Sequence, residues 1–161
     1  MIKCVINVHR PNFRHMAQFE LVDFEKTSSF RCMKRRATDF REDHPLHFHP
    51  QFELTWIIHS TGLQFVGDSV EYYDENYLVL CGPDLPHCWQ NNLINAEDAA
   101  EWFTIQFDRE LLPVNMETMI ELQAVSQMLK RASGGLKFQS VPDSVYLNND
   151  CTATIREERR F

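Results

Sequence analysis

Between Leu46 and Ile58 the chain alternates with a period of two: Leu46, Phe48, Phe52, Leu54, Trp56 and Ile58 all occupy even positions. A β-strand turns successive side chains to opposite faces, so these six share one face. The odd positions carry His47, His49, Gln51, Glu53, Thr55 and Ile57 on the other face, with Pro50 placed for a bulge or bend. One strand therefore presents an apolar face and a face that gathers imidazoles and a carboxylate. That pairing limits the chain to sheet architectures with two-sided strands.

The following sequence continues in the same manner. Turn residues recur at His59–Gly62, Gly67–Ser69, Asp74–Asn76 and Gly82–Asp84, and strand-rich pieces lie between them at Leu63–Val66, Val70–Tyr73 and Tyr77–Cys81. A polar loop, Asn91–Asp98, leads to Glu101–Phe107, where Phe103, Ile105 and Phe107 alternate with Trp102, Thr104 and Gln106. Short strands at this spacing predict a mostly β, antiparallel barrel or sandwich of jelly-roll type. The texture then changes. Glu117–Ala132 contains no Gly or Pro, and Leu122, Val125, Leu129 and Ala132 form a helical stripe that ends at Gly134-Gly135, with Leu136 set to pack back. The stripe must be buried on the barrel or on a second subunit, and the spacing is equally compatible with both. The expected organisation is an arm over residues 1–28 with edge strands near Val5–Val8 and Phe19–Phe24, a barrel over 29–108, a helical segment over 109–139 available for a dimer contact, and a tail over 140–161.

Composition narrows the class. At 161 residues and 43% hydrophobic the chain can build one sizeable core. No apolar run approaches the roughly 20 residues of a membrane helix, and the apolar stretch at the start is short for a secretory signal. The formal charge of −7 disfavours a chain whose main role is gripping phosphates. The sharpest basic cluster, Lys34-Arg35-Arg36, reads as a solvated edge strand. Five cysteines, an odd number with no Cys-X-X-Cys pair, read as free thiols in a reducing cytoplasm, with Cys81 and Cys88 as buried, inert thiols.

The chemistry concentrates in His47-Phe48-His49-Pro50-Gln51-Phe52-Glu53 and Gly82-Pro83-Asp84-Leu85-Pro86-His87, followed by Asn91. His47, His49 and Glu53 share a strand face, and His87 follows Glu53 by 34 residues, enough for later strands to bring it alongside. Three imidazoles and one carboxylate suit a borderline divalent ion: Zn²⁺, Fe²⁺, Mn²⁺ or Ni²⁺. The same groups also suit a polar pocket floor that hydrogen-bonds a small ligand. Thr55 and Ile57 share their face by parity; Trp89, Trp102, Thr104 and Gln106 are candidates for the same pocket or for packing in the barrel wall.

This arrangement resembles the two motifs of the cupin superfamily over about residues 44–91, although Asp43-His44-Pro45 stands where a Gly usually precedes the first motif. The phrases Phe65-Val66-Gly67-Asp68, Leu78 to Trp89, Ile105-Gln106-Phe107-Asp108 and Lys130 to Phe138 extend the likeness over about residues 29–139 to the amino-terminal sensor domain of AraC-family transcription regulators. That resemblance implies a cupin barrel binding a small effector, a sugar or another small organic molecule, and the ligand-binding residues expected here are His47, His49, Glu53, Thr55, His87 and Trp89. It also implies a homodimer and a separate DNA-binding module. Only 22 residues follow Gln139, against roughly 100 for that module. The expectation is therefore an isolated sensor that does not bind DNA alone. The competing expectation is a small metal-dependent cupin enzyme, an oxygenase or isomerase, in which Glu53 serves as general base.

Overall fold

The computed structural model describes residues 16–24, 28–37, 45–92 and 99–138. The arm piece near Val5–Val8, Cys4, Cys151 and the tail lie outside these residues. The described strands are β1 (Gln18–Phe19), β2 (Phe30–Ala37), β3 (His47–Phe48), β4 (Phe52–His59), β5 (Gly62–Val66), β6 (Ser69–Tyr73), β7 (Tyr77–Cys81), β8 (His87–Asn91), β9 (Ala100–Phe107) and β10 (Leu136–Phe138). They form two five-stranded sheets, ordered β1-β3-β8-β5-β6 and β10-β7-β4-β9-β2. Among the described residues only the short β1–β3 pairing is parallel. The fold is the mostly β, antiparallel-rich two-sheet barrel of jelly-roll type that the alternation predicts, with turns at Gly67, Asn76 and Asp84, all at positive φ.

Parity decides what lies inside. Glu53, Thr55 and Ile57 of β4 are buried between the sheets, as are Trp102, Thr104 and Gln106 of β9. Side chains from both sheets meet there: Ile57, Val79 and Trp102 from one pack with Val66, Tyr73 and Trp89 from the other. The apolar even face of β4 turns outward, where Trp56 stacks on Phe103 and Phe52 on Phe107.

The Phe52–Phe107 end of that face is covered by α1 (Gln123–Arg131) and the turn after it. Leu129 and Ala132 are buried against Phe52, Leu80 and Met116, with Leu122 and Val125 packed on the same cluster. The stripe thus lies on its own barrel. The helix is shorter than Glu117–Ala132. Thr118 Oγ1 donates to the Asn115 carbonyl at 2.8 Å, which offers the backbone a turn instead of a helix. Ile120–Leu122 then make one tight turn, with Ile120 81% exposed and nothing apolar holding it. At the other end Gly135 (φ 78) donates its N–H to the Ala132 carbonyl at 2.9 Å, and Leu136 packs back on the cluster as the spacing predicts. The Ala132 carbonyl also accepts from Gly82 N–H at 2.8 Å. That approach requires a glycine, since a Cβ on Gly82 would lie 2.8 Å from the carbonyl oxygen.

β2 is a sheet edge, as expected for Lys34-Arg35-Arg36. Lys34 pairs with Glu101, and both Lys34 and Arg36 are exposed, but Arg35 turns toward the interior. Cys81 and Cys88 are free, buried thiols. No described helix is long and apolar enough to cross a membrane.

Candidate metal and ligand site

β3 and β8 run antiparallel with His47 directly opposite His87. β4, from the facing sheet, supplies Glu53, and the bend at Pro50 between β3 and β4 carries His49 inward. The His49 carbonyl accepts from Asp84 N–H at 2.8 Å, which ties that bend to the turn leading into His87. One ligand atom from each of His47, His49, Glu53 and His87 lies within 4.8 Å of every other, and all four residues are buried.

The backbone fixes two of the rings. His47 Nδ1–H donates to the Pro45 carbonyl at 2.7 Å, and His87 Nδ1–H donates to the Leu85 carbonyl at 2.8 Å. A carbonyl only accepts, so each ring carries its proton on Nδ1 and turns Nε2 into the cluster, the arrangement in which backbone carbonyls orient metal-binding histidines. His87 Nε2 is buried without a hydrogen-bond partner, 3.5 Å from Glu53 Oε1. Glu53 itself accepts from Thr55 Oγ1 at 2.7 Å, Gln106 Nε2 at 2.7 Å and His49 Nε2 at 3.0 Å.

Electrostatics follow from that packing. Burial alone would push the Glu53 carboxyl up, but the charge of His87 close by and the hydrogen bond from His49 hold it well below its ordinary range. Burial and the neighbouring His87 press His47 down to about 4, against the opposing pull of Glu53, the Pro45 carbonyl and Glu20. His87 is drawn down by burial and lifted above its ordinary value by Glu53. Glu53 is thus a carboxylate and His47 neutral at neutral pH, while Glu53 draws His87 toward its protonated form. Cys81 and Cys88 stay thiols: burial pushes both up, Cys88 to about 11, and Glu53 adds to the rise at Cys81.

A recess opens beside the cluster, lined by Glu20, Arg31, Met33, Arg35, His47, Glu53, Trp89, Trp102, Thr104 and Gln106. Its cavity volume is about 20 Å³, within a space of about 340 Å³ that includes open solvent. The smaller figure corresponds to about one water. Cross-strand register explains the lining, because Arg31, Met33 and Arg35 of β2 pair with Gln106, Thr104 and Trp102 of β9, and Gln106 in turn pairs with Glu53 of β4. Gln106 therefore stands between Arg31 and Glu53, accepting from Arg31 Nε at 2.9 Å while donating to Glu53.

The structure places His47, His49, Glu53 and His87 together, with Thr55 bonded to Glu53 and Trp89 beside His87 at 5.5 Å between ring centroids. Trp102, Thr104 and Gln106 line the recess, whereas Ile57 belongs to the apolar end of the interior. Asn91 pairs with Gly62 at the far end of β8. Sequence reasoning missed Glu20, Arg31, Met33 and Arg35. Period-two alternation along β2 would have put the last three on one face; Glu20 had no comparable signal.

No family model matches the chain, and no curated protein matches it. Solved structures do. One is an oxalate decarboxylase variant from Bacillus subtilis, 20% identical over 51% of this chain and 22% of that one, with a TM-score of 0.41. A second structure of the same enzyme, titled for its Mn(II) centres, is 19% identical over 64% of this chain and 29% of that one, also at 0.41. A third is ToxT from Vibrio cholerae, 9% identical over 73% of this chain and 45% of that one, at 0.49. The chain spans less than half the length of each of these proteins.

Proposed function

We propose that the chain is an effector-sensing barrel of AraC-regulator type that carries one divalent ion on His47, His49, Glu53 and His87. One observation carries the metal assignment: four buried donor atoms within 4.8 Å of one another, with the His47 and His87 rings locked by backbone carbonyls so that Nε2 faces the cluster. The orphaned His87 Nε2 fits the same donor set, since a buried ring nitrogen without a partner is costly unless something ligates it. A Zn²⁺, Fe²⁺, Mn²⁺ or Ni²⁺ ion held there supplies Lewis acidity toward an oxygen donor of the bound molecule. The effector-sensing half of the reading rests on the sequence phrases that resemble AraC-type sensors.

This chain's own residues favour binding over turnover. Three hydrogen bonds already engage Glu53, which leaves it a poor choice as a mobile general base. The second reading, a metal-dependent oxygenase or isomerase, is favoured by the recess that reaches the cluster from outside. We extend the sensor reading to a cytoplasmic homodimer that does not bind operator DNA alone. Tight, salt-resistant gel-shift binding by the pure protein would contradict the DNA statement.

The deciding experiment is metal analysis of protein purified without a chelating resin. Stoichiometric metal that is lost in His47→Ala supports the site. Metal-free protein whose stability is indifferent to all four ions defeats it.

A further inference from the structure

Glu20 comes from the arm, not from the barrel, and its carboxylate sits across two cationic or metal-capable groups. Oε2 lies 3.2 Å from His47 Nε2 and Oε1 lies 3.5 Å from Arg31 Nη2. We infer that the site takes a small organic carboxylate, and that Glu20 occupies the place its carboxylate fills. The inference rests on the ligand-binding reading above and names its ligand class.

Three features make Glu20 a displaceable stand-in. First, its partner is fixed: Arg31 Nε is held by Gln106 Oε1 at 2.9 Å, so the rest of the guanidinium fork keeps one orientation toward the recess. A guanidinium matches a carboxylate with paired donors, which an uncharged hydroxyl cannot reproduce. Second, the arm is weakly attached. Beside the cluster it is held by the two-residue pairing of β1 on β3, flanked by bonds from Gln18 N–H to the Leu46 carbonyl and Glu20 N–H to the Phe48 carbonyl and by the Phe19–Phe48 ring contact, and Val22 is the only buried residue in 16–24. Met16, Phe19 and Leu21 are 73%, 59% and 79% exposed. Third, there is no room for both carboxylates. A cavity of about 20 Å³ holds one water, so an incoming carboxylate replaces that of Glu20 and does not sit beside it. Once Glu20 withdraws, the fixed guanidinium fork of Arg31 faces the recess without the carboxylate it held, which selects an anion over a sugar.

The test titrates acetate, oxalate and glucose into the purified chain, as isolated and after chelator treatment, following calorimetric heat and the thermal midpoint at constant ionic strength. Wild type is compared with Glu20→Gln, Arg31→Gln and Arg31→Lys. Acetate or oxalate should bind and glucose should not. Glu20→Gln removes a tethered competitor of roughly millimolar effective concentration and should tighten carboxylate binding about tenfold or more. Arg31→Gln should weaken it at least as much, and Arg31→Lys, which keeps the charge and loses the fork, should fall between. Unchanged affinity in Glu20→Gln, or stabilisation by glucose with none by either carboxylate in any folded variant, overturns the inference. Metal content of the same samples separates the two claims. Arg31-dependent carboxylate binding by metal-free protein sustains the inference while the metal assignment fails; metal-loaded protein that ignores carboxylates overturns the inference alone.

Discussion

His47 and His87 face each other across the β3–β8 pair with their ring centroids 4.4 Å apart, and each donates Nδ1–H to the carbonyl two residues before it. The two motifs of the sequence thus arrive with the same local geometry from different strands, and Glu53 closes the set from the facing sheet.

Glu53→Gln keeps the shape of the side chain and removes its charge. It removes the charge that lifts His87 above its ordinary pKa and turns an acceptor for three donors into a mixed group. Metal affinity should fall on the order of 100-fold. Stability should fall by about 1–3 kcal/mol, the cost of a buried polar group left unsatisfied. Isothermal titration with Zn²⁺ or Mn²⁺ and urea unfolding measure the two effects.

Acid should loosen the fold before the carboxylates as a class titrate. His47 goes from an ordinary 6.5 to about 4 on folding, so between these values the unfolded chain binds more protons and stability falls as pH drops. Glu53, held well below its ordinary value, has the same sign at lower pH. His87, raised, works the other way: its contribution is complete below 6.5 and lost as pH climbs through its folded value. A stability profile from pH 8 to 4 should decline below about 6.5, and His47→Gln should flatten that decline. A wild-type profile that is level across this window would contradict the assignment.

Leu129, on the inner face of α1, is 7% exposed and packs on Phe52 and Leu80 of the sheet. Leu129→Ala should cost about 2–5 kcal/mol in urea unfolding. Its mass in solution should match wild type, because the stripe is covered within one chain. A change in oligomeric mass without loss of stability would place the stripe at a subunit contact instead.

Gly82→Ala forces a Cβ to within 2.8 Å of the Ala132 carbonyl oxygen and 2.9 Å of Ser133 N. The strand end or the helix end must move, and the Gly82–Ala132 hydrogen bond with it. We expect a lower thermal midpoint and weakened metal binding together, since the same turn delivers His87; loss of stability with full metal affinity would uncouple them.

Much of this was legible from parity. In β4 the odd positions Glu53, Thr55 and Ile57 went inside as period two requires, and His87 came back beside them because antiparallel strands return the chain. Glu20 was not legible, because β1 is held by a two-residue parallel pairing that leaves no periodic trace. Arg31 and Arg35 were hidden by composition: in a run of basic residues on an edge strand, the inward members look like the outward ones until the register with Gln106 and Trp102 is known. The helix start was overestimated because a stretch free of Gly and Pro permits a helix without supplying contacts to hold it, as the exposed Ile120 shows.

The interior changes character along single strands. β4 runs from Glu53 and Thr55 to Ile57, and β9, in the opposite direction, from Ala100 and Trp102 to Thr104 and Gln106. The barrel is therefore a tube with a wet end and a dry end, and the two can vary independently. Substitutions at Arg31, Thr55, Thr104 or Gln106 alter the polar recess and its lining while Ile57, Val79 and Tyr73 keep the tube shut. Such a division lets one scaffold change its chemistry without first surrendering its thermal endurance.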